Sequence, residues 1–213
     1  MLTLIEKDIK LIGNYFWVSL IMSVIMPVFL SQQSGGHYSG MYILMMTLNF
    51  STYFIFSNIF MNEDKYKGNV YMLALPFGRK QIVLAKYVLA ILSYICVVIC
   101  YMGLCLFNVL FPKLSHSDVS VTFFLFTLIL DVIFPLYYKF SYAKIKSVLL
   151  IIMIILPTWG LVLLKYILNV EMVYEKFEIG INWGILVNIL SILFMLCSIS
   201  ISIRALNLVL EYK

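Results

Sequence analysis

The chain has 213 residues and a formal net charge of +5, with 63% hydrophobic and only 12% charged residues, and its mean hydropathy is +1.03. A soluble domain is roughly 45–50% apolar and about 25% charged, so this composition excludes a water-soluble globular protein and points to a membrane. At roughly 20 apolar residues per span, these residues accommodate about six spans and leave no room for a separate soluble enzyme domain.

At the start of the chain, MLTLIEKDIKLIG repeats Leu2, Ile5, Ile9 and Ile12 near helical spacing, with Glu6, Lys7, Asp8 and Lys10 between them. This predicts an amphipathic helix lying in the membrane interface, with Ile5, Glu6, Asp8 and Ile9 as its interfacial residues, ending near Gly13. Apolar stretches follow at 14–30, 41–61, 82–111, 119–138, 147–168 and 182–203. The first is read as a true span, because its apolar run continues through Pro27 to Leu30 without the small-residue site of a cleavable signal. The expected fold class is an all-α integral membrane protein with six transmembrane helices, forming a single transmembrane domain over 1–213.

Lys and Arg in short loops stay on the cytoplasmic side. With the N-terminus inside, the cytoplasmic segments hold Lys7, Lys10, Lys65, Lys67, Arg79, Lys80, Lys139, Lys144, Lys146, Arg204 and Lys213, against Lys113 and Lys176 outside. Both termini are therefore expected in the cytoplasm, while Lys86 and Lys165 lie near span ends and can snorkel. The outer connections read as a flexible turn with His37, a solvated loop with His116, and an acidic, interfacial or solvated segment with Glu171, Glu175 and Glu178.

The usual catalytic patterns are absent from the sequence: there is no HExxH, no GxSxG and no GxxxxGK[ST] phosphate loop. Cys96, Cys100, Cys105 and Cys197 fall in apolar runs without a neighbouring His or carboxylate to make a metal site, and read as packing residues. Asp131 lies about twelve residues into the fourth predicted span, where a lipid-facing carboxylate costs about 2.5–3.5 kcal/mol. It is expected to face protein or water, as a polar point on a translocation path or proton site, or as a hydrogen-bonded residue at a helix contact. Pro27 and Pro157 can kink their helices.

Residues 62–88, NEDKYKGNVYMLALPFGRKQIVLAKYV, place an apolar run between two charged clusters. Glu63 and Asp64 stand where a short helix would begin, acids being favourable at a helix N-terminus. Tyr66, Val70, Leu73 and Phe77 then recur at helical spacing, Pro76 ends the run, and Arg79 and Lys80 mark the edge of the third span. A short amphipathic cytoplasmic helix is expected between spans two and three, and its apolar face must be covered by the interface, the rest of the chain or a partner. A basic loop that merely obeys the orientation rule is the alternative.

The run closely resembles the signature of a bacterial subfamily of type-2 ABC exporter permeases, which includes exporters of phenol-soluble modulins and lantibiotic or self-immunity pumps. Glu63, Asp64, Lys65, Leu73, Leu75, Pro76, Arg79, Lys80, Ile82, Val83, Lys86 and Tyr87 carry the resemblance. It implies a coupling helix, with Glu63, Asp64, Lys65, Tyr66, Val70, Leu73, Leu75, Pro76, Phe77, Arg79 and Lys80 docking a separate ATPase present in two copies. It further implies a second permease, as homodimer or heterodimer, set among bacterial plasma-membrane lipids. ATP and Mg²⁺ would sit on the ATPase, with no cofactor on this chain and no nucleic-acid partner. An ATP-independent secondary carrier using Asp131, or a membrane immunity protein, are the alternatives.

Overall fold

The computed structural model describes residues 2–34, 39–66, 78–107, 111–140, 142–155 and 181–211. They form α1 (Leu2–Ile12), α2 (Tyr15–Ser34), α3 (Gly40–Lys65), α4 (Arg79–Phe107), α5 (His116–Lys139), α6 (Tyr142–Ile155) and α7 (Ile181–Glu211). Five of these, α2, α3, α4, α5 and α7, are long and apolar enough to cross a membrane. The expected fifth span at 147–168 is represented by α6 as far as Ile155; the remainder, with Pro157, lies outside the described residues.

The helix ends follow local chemistry. Gly13 adopts φ 55°, a left-handed conformation that costs glycine nothing, and its N–H closes α1 onto Ile9 O at 3.3 Å. This separates α1 from α2 where the sequence predicts the break. The Ser115 N–H donates to Asp118 Oδ2 at 2.9 Å, which starts α5 at His116 inside what reads in sequence as an outer loop.

Helix α3 is the hub, packing against α1, α2, α4, α5 and α6. It buries Thr47, Asn49, Ser51, Thr52 and Asn58 as well as Leu and Phe side chains. In lipid the apolar groups have no reason to hide, whereas polar groups must be satisfied internally. Several are satisfied on the helix itself: Thr47 Oγ1 donates to Ile43 O, Asn49 Nδ2 to Met45 O and Asn58 Nδ2 to Phe54 O, each at 2.8 Å.

The outer helices are inside-out. Helix α2 turns Ser19, Ser23 and Pro27, spaced four apart, toward the bundle and leaves Trp17, Ile21, Ile25 and Phe29 exposed. Helix α7 buries Ser191, Ser198 and Ser202 while exposing Ile189, Leu193, Phe194 and Leu196. Its pairing with α5 is the most extensive in the structure. A Cβ on Gly184 would stand only 3.1 Å from Ser120 Oγ on α5, so the two backbones approach closely at one end of the pair. Gly184→Leu should push the helices apart and cost about 1–3 kcal/mol, read as a lowered thermal unfolding midpoint in detergent.

The centre of the bundle is aromatic. Phe134 of α5 meets Phe56 of α3 at 5.1 Å and Tyr87 of α4 at 4.6 Å, both edge-on. Phe60 stacks on Tyr137 at 3.8 Å. This layer lies immediately beneath a cluster of buried charges.

Candidate functional site

Glu63 occupies the last turn of α3, only 2% exposed. Its Oε1 accepts from Lys86 Nζ of α4 at 2.9 Å and from Lys7 Nζ of α1 at 3.0 Å. Its Oε2 accepts from the Tyr137 hydroxyl of α5 at 2.8 Å. Asp8, 2% exposed, adds a second carboxylate, with Oδ1 2.8 Å from Lys7 Nζ and Oδ2 3.8 Å from Lys86 Nζ. Two cations and two anions thus cancel, which makes burial of Glu63, Asp8 and Lys86 beside the half-buried Lys7 tolerable. Lys86, 1% exposed, also lies 5.6 Å from the Phe60 ring centre and 5.9 Å from that of Tyr137. Burial pulls the Lys7 amine down, but the Glu63 and Asp8 carboxylates outweigh it and hold that amine above the usual lysine value, so Lys7 is charged at neutral pH.

This cluster joins α1, α3, α4 and α5 at one end of the bundle, and it brackets the 67–77 connection. Glu63 lies just before that connection and Lys86 two turns after it, so their contact ties its two stems together. Asn62 Nδ2 adds a bond to Leu11 O of α1 at 2.9 Å. Asp64 Oδ2 accepts from Ala143 N at 3.4 Å, in the first turn of α6, where a carboxylate is favoured by the helix dipole.

A second polar locus lies deeper, between α4, α5 and α7. Pro135 lies within α5, and because proline has no N–H it frees the carbonyl four residues earlier, that of Asp131. Ser198 of α7 donates its Oγ hydrogen to this oxygen at 3.0 Å, the repair expected of a polar neighbour in a membrane helix. Ser198 Oγ also lies 2.6 Å from the Tyr87 hydroxyl, which is 3.3 Å from Ser202 Oγ. The Asp131 carboxyl lies near the same Ser198 hydroxyl, but neither of its buried oxygens receives a well-formed hydrogen bond among the described residues.

The model of the family described as ABC-2 family transporter protein matches residues 3–207. The chain belongs to the ABC-2 transporter family. It is accordingly a multi-pass membrane permease component of an ABC transporter, a class that moves material rather than catalysing a reaction and that generally works with an ATPase subunit. No curated protein and no solved structure matches the chain.

Several sequence expectations change in the folded ABC-2 chain. Glu63, Asp64 and Lys65 end α3 rather than begin a separate helix, because Asn62 O and the charges of Lys7 and Lys86 extend and close that helix. Glu63 consequently faces into the bundle, whereas Asp64, Lys65, Tyr66 and Lys80 are exposed. Arg79 is the first residue of α4, and Val70, Leu73, Leu75, Pro76 and Phe77 lie outside the described residues. Lys86 does not snorkel; its amine is drawn inward by Glu63. In α1 the buried face runs through Leu4, Asp8 and Ile12, with Ile5 packed beside Leu4, so the helix rests on α3 and α4 with Glu6 and Ile9 outward.

Sequence reasoning missed Tyr137, Lys7 and Lys86 as partners of Glu63, and Tyr87, Pro135 and Ser198 around Asp131. The available signals were a lysine on the apolar side of the Arg79–Lys80 boundary, which can pair with an acid instead of snorkelling, and a proline four residues after an intramembrane aspartate.

Proposed function

We propose that the chain is the membrane-spanning half-unit of an ATP-driven exporter of an amphipathic peptide, lipid-like or other toxic compound, energised by two copies of a separate ATPase that carry ATP and Mg²⁺. The supporting observation is the buried Glu63–Lys86 pair, which fastens both stems of the 67–77 connection to α1 and α5. A partner that pulled on this connection through Leu73, Leu75 and their neighbours would move four helices together instead of bending a loose loop. The connection would thus serve as a coupling helix, with the charge cluster transmitting its displacement into the bundle. The exposed aliphatic faces of α2 and α7 suit lipid and a second permease, identical or related. Lys10, Lys65, Lys80, Lys139 and Lys144 stand exposed around the same end of the bundle, which supports a cytoplasmic location for that end in a bacterial plasma membrane. Asp131 would line the path.

The test is affinity purification from the native membrane in mild detergent. The wild type should bring down an ATP-binding subunit in stoichiometric amount, and Leu73→Asp with Leu75→Asp should lose it by at least about tenfold, since a buried charge desolvated without a partner costs more than the 1.4 kcal/mol that tenfold represents. Undiminished capture by that variant would overturn the docking role. The unpartnered Asp131 carboxyl favours, as a second reading, an ATP-independent carrier; transport that survives deletion of the ATPase and fails in Asp131→Asn would support it.

A further inference from the structure

The hydrogen-bond directions around Asp131 can be deduced link by link. A carbonyl only accepts, so Ser198 Oγ must spend its one hydrogen on Asp131 O at 3.0 Å. Ser198 Oγ therefore accepts from the Tyr87 hydroxyl at 2.6 Å, and Tyr87, its hydrogen committed, accepts from Ser202 Oγ at 3.3 Å. The Ser198 hydroxyl lies near the Asp131 carboxyl as well, but with its one hydrogen on the carbonyl it leaves that side chain without a donor of its own. Both carboxyl oxygens are left buried, with no donor among the described residues. The nearby bundle cations do not supply one: Lys86 and Lys7 are held by Glu63 and Asp8.

The same seam repeats this bias further along. Asn188 of α7 gives its Nδ2 to Ser120 Oγ at 3.3 Å, while its Oδ1 is buried without a partner. The open positions on the facing surfaces of α5 and α7 are thus acceptors, at two levels of the bilayer, and such a surface selects a donor-rich, positively charged group over an anion. Approach from the side requires the two helices to part locally, because both carboxyl oxygens are covered. Asp131 is only half-buried, and the adjoining Val132 on α5 is 48% exposed among lipid-facing residues.

We propose that the α5–α7 seam at Asp131 binds the primary ammonium of a cationic amphiphile that enters from the bilayer with its apolar part along the exposed aliphatic faces. This deepens the exporter reading, on which it rests for the identity of the amphiphile as cargo. An ammonium brings three donors and a positive charge, and so supplies what both Asp131 oxygens lack. The hydrocarbon tails of lipid supply neither, and a phosphatidylcholine headgroup has no N–H to donate.

The experiment uses the full chain in phosphatidylcholine nanodiscs, with dodecylammonium as probe and dodecanol as its uncharged counterpart. Dodecylammonium should raise the unfolding midpoint saturably, as any ligand of the native state does, and dodecanol should not. Asp131→Asn should weaken the response roughly tenfold or more, the range expected when a charged hydrogen bond is lost. Ser198→Ala, which keeps the carboxyl, should retain the response. On the wild type, dodecylammonium but not dodecanol should protect the Asp131 peptide from a hydrophobic carbodiimide, read by mass spectrometry, so the result does not hinge on the variant folding. Equal responses to the two probes, an unchanged response in Asp131→Asn, or absence of protection would overturn the proposal. Ammonium binding in a chain that captures no ATPase would instead keep the site and remove the exporter reading.

Discussion

Glu63→Ala should destabilise the protein by about 3–5 kcal/mol, the range seen when one partner of a buried ion pair is removed. The loss goes beyond one contact. Lys86, 1% exposed, would keep Asp8 at 3.8 Å as its charged partner beside the Phe60 and Tyr137 rings, and the Tyr137 hydroxyl would lose its bond to Oε2. Lys7 would retain Asp8 but cease to bridge α1 to α3. Glu63→Gln, which preserves an acceptor for Tyr137 but removes the charge, should cost less. Replacing Glu63 and Lys86 together by Leu should recover much of the stability, because no orphaned charge remains. Thermal unfolding of the three variants in one detergent checks the order. If Glu63→Ala unfolds within about 1 kcal/mol of wild type, in the range of an exposed salt bridge, the cluster is solvated and its role as a fastening for the 67–77 connection fails.

Phe134→Ala should have a comparable effect, about 3–5 kcal/mol, through a different mechanism. Its ring is fully buried and touches two neighbouring helices, with edge contacts to Phe56 at 5.1 Å and Phe60 at 6.2 Å on α3 and to Tyr87 at 4.6 Å on α4. In a membrane the gain from leaving water is absent between helices, so what is lost is packing, and a void among rings is left with no contacts on one side. Phe134→Leu should cost distinctly less. The same unfolding measurement separates them, and because Tyr87 leans on Phe134, loss of the ring should also loosen the Tyr87–Ser198 bond that closes α4 onto α7.

The membrane class and five long apolar helices were legible in the sequence because both follow from quantities summed over twenty residues: hydropathy and run length. The break at Gly13 was legible too, since only one residue type meets the left-handed requirement cheaply. The burial of Glu63 was not, because its neighbours Asp64 and Lys65 are equally polar and only the third dimension turns one of the three inward. For α1 the apolar spacing misled in detail: Ile9 satisfies the helical pattern, yet the face that packs is set by Asp8, whose charge finds Lys7 and Lys86. Asp131 was recognisable as costly in lipid, but the donor shortage around it depends on Pro135 and on a serine 67 positions later, a separation that periodicity cannot bridge.

The separations within the charge cluster also bear on how the chain is made. Glu63 precedes Lys86 by 23 positions but follows Lys7 by 56. At about 5–20 residues per second of synthesis, the acid waits roughly one to five seconds for the partner that will share its burial. During that interval Lys7 is already available, held on a short helix that needs only to swing against the end of α3. The first helix would then act as a provisional counter-ion during insertion, keeping Glu63 neutralised until α4 enters the bilayer and becoming a permanent part of the cluster once Lys86 arrives.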